Sequence, residues 1–566
     1  MSSDSAVGPG SAVSQGPGQG SGPSVLDGGS GRANGLAVLV RAGVVSAERP
    51  DRTARRLAAL AKFGPSLAGS YAAATVHDPD RIAVSDERRR LSYAELDIRA
   101  RRIAARLAEF GIGPDGSVAV LQRNSAYLVE SLIAISRLGA DAVLLNVAMS
   151  ADQIGAVLAR EQPLVLIADA DLLAELIAGP DPDVRLAGLV VVVADPTPDL
   201  PSDSGLSLDE MAGVEIADVP APQRRGHFVV LTSGTTGPPK GARRGPPKGL
   251  GPLVSMLSRI RFQANEVMLI APPLFHTWGL GMLQLAPALS STIVLHRRSD
   301  SEILLAALAE HGCTSLITVP VMAQRLLELP PAALTAADLS SLRVVACSGA
   351  ALSADLSTRF QDAFGDVLYN VYGATEVSWA TIAAPEDLRL RPGSAGRPPH
   401  GTTIALLDDA GAPVPIGEIG GIHVGNDLLF EGYTDGTDRC RRDGMLATGD
   451  RGRIDGDGLL TVLGREDDLV NSGGEKVYPS VLEELLTAHP QVREVAVIGV
   501  PDPQLGQRLA AYLVLSEGSQ LTAQDVRALA RSRLAAFCVP RDVIFLDALP
   551  RGATGKVIPR LLPGMI

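Results

Sequence analysis

Between Tyr71 and Pro220 the apolar positions switch back and forth between two periods. In LSYAELDIRARRIAARLAEFGI they recur at the spacing of one helical face. This stretch opens on Ser92 with Glu95 three residues later, the signature of a capping box. SVAVLQRN follows as an unbroken apolar run, which predicts a buried strand. The pair returns as YLVESLIAISRLGA with DAVLLNV and as DQIGAVLAREQ with LVLIAD, and LAGLVVVVAD adds a strand before the polar loop Asp195–Asp203. Helices alternating with buried strands predict an α/β fold, a mostly parallel sheet covered on both faces.

Further along, VMLIAPPLFHTWGLGMLQLAPAL gives a strand, a Pro-Pro turn and an aromatic group of Phe275, His276 and Trp278. TSLITVPVMAQRLLEL and LRVVACSGAALS each pass from strand to helix, so their turns open at the carboxyl edge of a sheet, where α/β proteins bind ligands. Residues 400–464 break into short Gly/Asp/Val/Ile runs and predict a small β-rich subdomain. The last hundred or so residues return to mixed helices and strands. At the other end, residues 1–35 are mostly Gly, Ser, Pro and Ala, too poor in apolar surface to offset the entropy of ordering, and predict a disordered tail. The segment 36–66 turns apolar, then basic. Leu57, Leu60, Ala61 and Phe63 with Arg52, Arg55, Arg56 and Lys62 make an amphipathic helix that either packs on the body or rests on an anionic membrane.

The length of 566 residues implies about two to four domains. A net charge of −12 argues against a nucleic-acid partner. Cys313, Cys347, Cys440 and Cys538 form no CxxC pair and predict free thiols in a reducing compartment. No apolar run reaches the length of a membrane span, and no secretory signal opens the chain. The expected location is the cytoplasm, with 36–66 as a possible peripheral membrane contact.

The chemistry gathers elsewhere. Leu231–Gly241 reads LTSGTTGPPKG, in which Thr232, Ser233, Thr235, Thr236, the intervening Gly234 and Gly237, and Lys240 could wrap phosphate oxygens. It is not a Walker A loop, because Pro239 and Gly241 flank the lysine. Alone, such a turn is more often a plain surface loop. YGATE places Tyr372, an aromatic face, beside Glu376, a hard oxygen ligand suited to Mg²⁺. LATGD ends on Asp450, a carboxylate suited to ribose hydroxyls, before GREDD at 464–468. PRGATGKV puts Lys556 on a Gly-rich turn.

TSGTTGPPKG, PLFH, YGATE, ATGD, GREDD with SGGEKVYP, and PRGATGK occur in the order found in the acyl-CoA synthetase family of adenylate-forming enzymes, which the chain resembles over roughly residues 70–560. The resemblance implies a large multi-subdomain N-terminal adenylation domain over 36–465 and a small mobile α+β C-terminal domain over 466–566. It implies a carboxylate–CoA ligase that uses ATP, Mg²⁺ and coenzyme A: the acid forms an acyl-adenylate with release of pyrophosphate, and a thiol then takes the acyl group. Thr232, Ser233, Thr235, Thr236 and Lys240 would hold the β- and γ-phosphates, with Mg²⁺ on Glu376 and Thr232. Tyr372, on a turn with Gly373, Ala374 and Thr375, would stack on adenine beside Gly349, Ala350 and Ala351, and Asp450 with Arg465 would grip the ribose. Lys556 would bridge the carboxylate and the α-phosphate. His276 would gate the acyl pocket, Asp467 would be the hinge, and Gly473 and Gly474 would line the pantetheine tunnel.

The chain departs from the family's usual pattern at Leu446, at Arg243 and Arg244, and at Lys476. Phe275, Leu280, Met282, Val377 and Trp379 would give an apolar acyl pocket without a basic residue. The expected partner is therefore a fatty acid of medium or greater length, with aromatic acids as the alternative. An acyl-AMP ligase loading a carrier protein, a luciferase-type oxygenase and a non-catalytic ligand-binding relative are the competing readings. No carrier domain is expected after Lys556.

Overall fold

The computed structural model describes residues 23–29, 32–45, 50–178, 186–195, 206–215, 219–232, 240–472, 474–552 and 555–564. Two large sheets carry the architecture. One has seven strands in the order Lys240–Arg244, Phe228–Thr232, Asp141–Leu144, Ser117–Leu121, Val165–Ala168, Val190–Val193, Leu206–Ser207, parallel throughout except at the Lys240–Arg244 edge. The other has eight, in the order Ser378–Ala383, Leu368–Ala374, Val344–Ser348, Ser315–Thr318, Val267–Ile270, Thr292–Val294, Ile82–Ser85, Arg90–Ser92, parallel inside an antiparallel hairpin at each edge. The alternating helix and strand pattern read from Tyr71 onward is this pair of sheets.

Alternation along each strand decides what each sheet faces. Val118, Val120, Ala142 and Leu144 of the first sheet share one core with Met268, Ile270, Ile293 and Val344 of the second. Between them lie the helices Tyr93–Glu109 and Ala126–Leu138. Ala119, Leu121, Val143 and Leu166 point the other way into a separate core, as a strand period of two requires. The first of these helices starts as expected. Ser92 accepts from the Glu95 N–H at 3.2 Å while Glu95 accepts from the Ser92 N–H at 2.7 Å. The second is buried almost all round, and its one acid, Glu130, is held at 2.8 Å by Arg99, since a carboxylate this deep requires a cationic partner.

A third sheet is antiparallel: Thr403–Leu407, Ile419–Gly425 and Met445–Ile454, with Arg441–Arg442 and Leu460–Arg465 also against the last of these. Its outer strand corrects the tail assignment. Val25–Asp27 pairs with Thr403–Ala405, and Leu26 packs on the core of this sheet. A short apolar pair inside a Gly/Ser/Pro-rich stretch is ordered here by a backbone ladder with a partner almost four hundred residues away, which composition cannot report; residues 1–22 lie outside the described residues.

The C-terminal sheet, Glu475–Val477, Val470–Ser472, Gly506–Leu515, Val492–Asp502 and Asp542–Phe545, has its own core with the helices Pro479–Thr487 and Ala523–Arg533. The basic segment folds as the helix Pro50–Phe63, anchored by buried Phe63, whose ring has Arg137 at 4.9 Å, while Leu57 is 62% exposed. Among the described residues no helix is long and apolar enough to cross a membrane.

Candidate active site

Carboxyl ends of parallel strands and one hairpin of the third sheet bring the predicted groups together. The strand Leu368–Ala374 ends in the turn that carries Glu376, and Asp450 and Arg465 face each other across the hairpin Met445–Ile454 with Leu460–Arg465. Tyr372 joins them: its hydroxyl donates to Asp450 Oδ2 at 2.7 Å and lies 3.3 Å from Thr448 Oγ1. Burial raises the Asp450 carboxyl above its ordinary range, with Tyr372 and Arg465 opposing; Arg465 Nε is 3.9 Å from Oδ1. Burial, then the Asp450 charge, pushes the Tyr372 phenol up, so it stays a donor.

The Gly349–Ala351 turn lies alongside, because its strand pairs Ser348 with Val371 and Ser348 Oγ donates to the Val371 carbonyl at 2.7 Å. Gly349 sits at φ +91°, a conformation that favours glycine, and all three residues of the turn are exposed. Gly373 has a steric reason to be glycine, since a Cβ there would lie 1.8 Å from the Ser378 carbonyl oxygen. Thr375 Oγ1 meets Thr277 Oγ1 at 3.3 Å, which ties the turn to the start of the helix Thr277–Leu285.

His276 precedes that helix. Asn124 fixes the approach, donating to the Pro272 carbonyl at 3.0 Å and accepting from Leu274 N–H at 2.8 Å. The imidazole packs at a tilt against Phe275, ring centres 4.6 Å apart, and its Nε2 is buried without a hydrogen-bond partner among the described residues. Burial, with the nearby Lys556 charge, lowers its pKa to about 4. Lys556 therefore reaches this site from the C-terminal region. Its turn is a tight hairpin, in which Gly552 N–H donates to the Lys556 carbonyl at 2.9 Å, pressed so closely on the large domain that a Cβ on Gly555 would be 2.4 Å from Val321 Cγ1. The residue keeps an exposed flank, yet desolvation of its ammonium and then Arg465 depress its pKa, with Asp450 and Glu376 opposing.

Glu376 is 8% exposed. Its Oε1 accepts from the Tyr433 hydroxyl, and Arg439 Nη2 lies 3.7 Å away. Behind it, Arg244 Nη1 donates to the Thr375 carbonyl at 2.6 Å and Nη2 to Ser378 Oγ, bracing the turn from the strand that leaves the glycine-rich loop. Burial lowers the Arg244 pKa to about 10, with Glu376 opposing. Lys240 opens that strand opposite Thr232 and is held by Asp435 Oδ2 at 3.0 Å and Thr437 Oγ1 at 3.2 Å. Ser233, Gly234, Thr235, Thr236, Gly237 and Gly473 lie outside the described residues. Gly474 is exposed on the C-terminal hairpin, its N–H donating to Asn471 Oδ1 at 3.2 Å, and Asp467 lies in the turn between Arg465 and Val470.

Tyr433, Arg439, Arg244, Thr448 and Asn124 belong to this constellation and were not among the residues singled out as its groups. Only Arg244 had left a trace, as a departure from the family pattern.

The groups suit a magnesium nucleotide. Among the described residues no group of three or more His, Cys, Asp or Glu could hold a metal alone, and Mg²⁺ commonly uses one or two carboxylates with phosphate oxygens and water. Glu376, a hard carboxylate with Arg439 Nη2 at 3.7 Å and the Lys556 charge near it, meets that description. Asp450 with Tyr372 and Arg465 offers acceptors and donors for a sugar.

A fold with this two-part site is that of an adenylate-forming enzyme, and comparison with known proteins agrees. The family described as AMP-binding enzyme matches residues 71–434, and its C-terminal domain matches 481–556. Feruloyl-CoA synthase from Amycolatopsis sp is 34% identical, covering 85% of this chain and 95% of its own length. Indoleacetate–CoA ligase from Aromatoleum aromaticum is 32% identical, over 85% and 94%. Among solved structures, the anthranilate CoA ligase AuaEII in complex with anthranoyl-AMP has a TM-score of 0.78 at 26% identity, covering 87% of this chain and 96% of that one. ATP-bound MatB from Rhodopseudomonas palustris has a TM-score of 0.76 at 30% identity, covering 87% and 98%. The chain belongs to the AMP-binding enzyme family. With that family goes the chemistry of carboxylate–CoA ligation through an acyl-adenylate, served by ATP, Mg²⁺ and coenzyme A.

Proposed function

We propose that this enzyme is an ATP-dependent carboxylate–CoA ligase for an apolar acid bearing an aromatic ring. The observation that carries the ligase reading is the convergence of Lys556, from the C-terminal region, on Glu376, Asp450 and Arg465 of the large domain. In this reading a carboxylate oxygen of the acid attacks the α-phosphorus of ATP, and the bond to pyrophosphate breaks. The sulfur of coenzyme A then attacks the acyl carbon, and AMP leaves. Lys556 stabilises the charge that grows between carboxylate and α-phosphate. Asp450 and Arg465 hold the ribose, and Tyr372, fixed through its hydroxyl, presents its ring to adenine beside Gly349–Ala351. Thr232 and the glycine-rich loop, with Lys240, hold the distal phosphates. Glu376 and Thr232 would hold Mg²⁺, which would supply neutralisation of the phosphate charge. His276, uncharged near neutral pH, lines the acyl side, Asp467 lets the C-terminal domain turn, and Gly473–Gly474 flank the thiol's path.

The ring preference rests on Trp278, two residues after His276, whose indole N–H donates to the Thr318 carbonyl at 3.1 Å and so holds the ring in place. Relatives named for feruloyl, indoleacetate and succinylbenzoate substrates support it. The fatty acid expected from apolar lining becomes the second reading, because Leu280, Met282 and Val377 are 2%, 0% and 0% exposed and pack into the core. Pyrophosphate release with ATP and Mg²⁺ over a panel of aryl, arylalkanoic and fatty acids, with acyl-CoA followed by mass, tests both. Thioester from ring-bearing acids supports the proposal. Thioester from long fatty acids alone overturns the ring preference, and no release with any acid overturns the ligase.

Residues 36–66 are proposed, separately, as a peripheral membrane contact, on the strength of exposed Arg52 and Leu57. Equal sedimentation with anionic vesicles with and without these residues would remove that idea.

A further inference from the structure

Residues 431–441 lie along the strand that leaves the glycine-rich loop. Glu431 N–H donates to the Arg243 carbonyl at 2.9 Å, Arg243 N–H to Gly432 at 3.0 Å, and Thr434 N–H to Gly241 at 2.8 Å. This ladder fixes the backbone on either side of Tyr433, and the segment then doubles back so that Arg439 Nε donates to the Tyr433 hydroxyl at 3.2 Å. The same hydroxyl donates to Glu376, and the Arg439 guanidinium lies 3.7 Å from that carboxylate. One segment therefore touches both groups expected to serve the distal phosphates, since its Asp435 and Thr437 also hold Lys240.

The other end of the guanidinium faces the nucleotide side. An ideal Cβ built on Gly449, within the ATGD stretch, would lie 3.1 Å from Arg439 Nη1 and 3.5 Å from Arg465 Nη2. Two guanidiniums thus converge over one glycine. Glu376 beside Arg439 and Asp450 beside Arg465 give each guanidinium a carboxylate on one side, and glycine leaves the space between them clear for a further anion. Arg439 keeps about a third of its side-chain surface, 31%, open. Its planar fork can therefore present two N–H groups to phosphate oxygens while Nε stays on Tyr433.

We propose that Arg439 is a nucleotide-binding residue, a cation on the 431–441 segment that takes the polyphosphate of ATP and is positioned for it by Tyr433 and Glu376. The assignment rests on the adenylate-forming reading above. Its position beside Glu376, on the segment that also holds Lys240, places it on the phosphate half of the nucleotide, so it should distinguish ATP from AMP. Arg441, two residues on, instead donates to the Phe430 carbonyl at 2.9 Å and serves the fold.

The test is equilibrium binding to the full chain, without any carboxylic acid, of ATP with Mg²⁺ and separately of AMP, by calorimetry. R439Q should weaken binding of ATP with Mg²⁺ by about tenfold or more, the scale of a lost charge-assisted pair, while AMP binding stays within about twofold. R439K, which keeps the charge but not the fork, should fall between the two and carries the same test if R439Q folds poorly. Unchanged ATP affinity, or equal loss for ATP and AMP, overturns the assignment. Wild-type protein that binds neither nucleotide overturns the adenylate-forming reading, and this assignment with it.

Discussion

Two side chains from different parts of the chain, Lys556 and His276, lie near one another, and the proposed ligase assigns them opposite electrostatic tasks. In that proposal Lys556 carries charge and His276 does not. For Lys556→Ala the loss should fall on adenylate formation, by about 10²–10³-fold, the scale of a removed oxyanion-type donor. Thioester formation from supplied acyl-adenylate should fall by less than about tenfold. Equal losses in pyrophosphate release and in thioester formation would show that Lys556 serves the fold or both steps. His276 has a pH consequence. Its folded pKa of about 4 lies below its ordinary 6.5, so between these values the unfolded chain holds a proton that the folded chain lacks. Stability from this residue is complete above 6.5 and is lost as pH falls toward 4, by up to about 3 kcal/mol. Denaturant unfolding from pH 7.5 to 4.5 should show that slope, and His276→Gln should flatten it.

At the scale of elements, the turn that presents Glu376 is held from behind by Arg244, and two opposing terms decide what that is worth. Arg244→Met loses two charge-assisted hydrogen bonds but also relieves the desolvation of a guanidinium, so net stability should change by less than about 2 kcal/mol. The turn would nevertheless lose its brace, and pyrophosphate release should fall by about tenfold or more, as misplacement near a reacting centre does. A large drop in melting temperature with proportionate loss of activity would make Arg244 a packing residue instead. The strand–turn–helix units and the order of the motifs were readable in the sequence because period, capping and glycine spacing are local. Arg244, Tyr433 and Arg439 were not. Their roles exist only after Ser378 and Glu376 have been folded against residues up to 134 positions away, and in the sequence GTDRCRR reads as a solvated basic run. Val25–Asp27 was missed for the same reason.

For the whole molecule, Lys556 reaches the site only while the C-terminal domain stays docked, and the docking contacts visible away from the site are modest. Arg493 forks onto Glu328 at 2.8 and 3.2 Å, and Gln324 donates to the Arg493 carbonyl at 2.8 Å. The ion pair is 47% and 30% exposed, so a double-mutant cycle should give it no more than about 1 kcal/mol. A latch this weak suits the proposed turning of the C-terminal domain at Asp467 between the half-reactions. If the pair biases the docked pose, Glu328→Gln should slow adenylate formation by about two- to fivefold, the rate equivalent of at most 1 kcal/mol. It should leave thioester formation from supplied acyl-adenylate unchanged or faster. Arg493→Gln should reproduce the effect, and the double variant should add nothing. Rates that fall together in both half-reactions, or additive single effects, would mean that the pair does not bias the pose, leaving the Gly555 turn against Val321 as the contact that holds Lys556 in place.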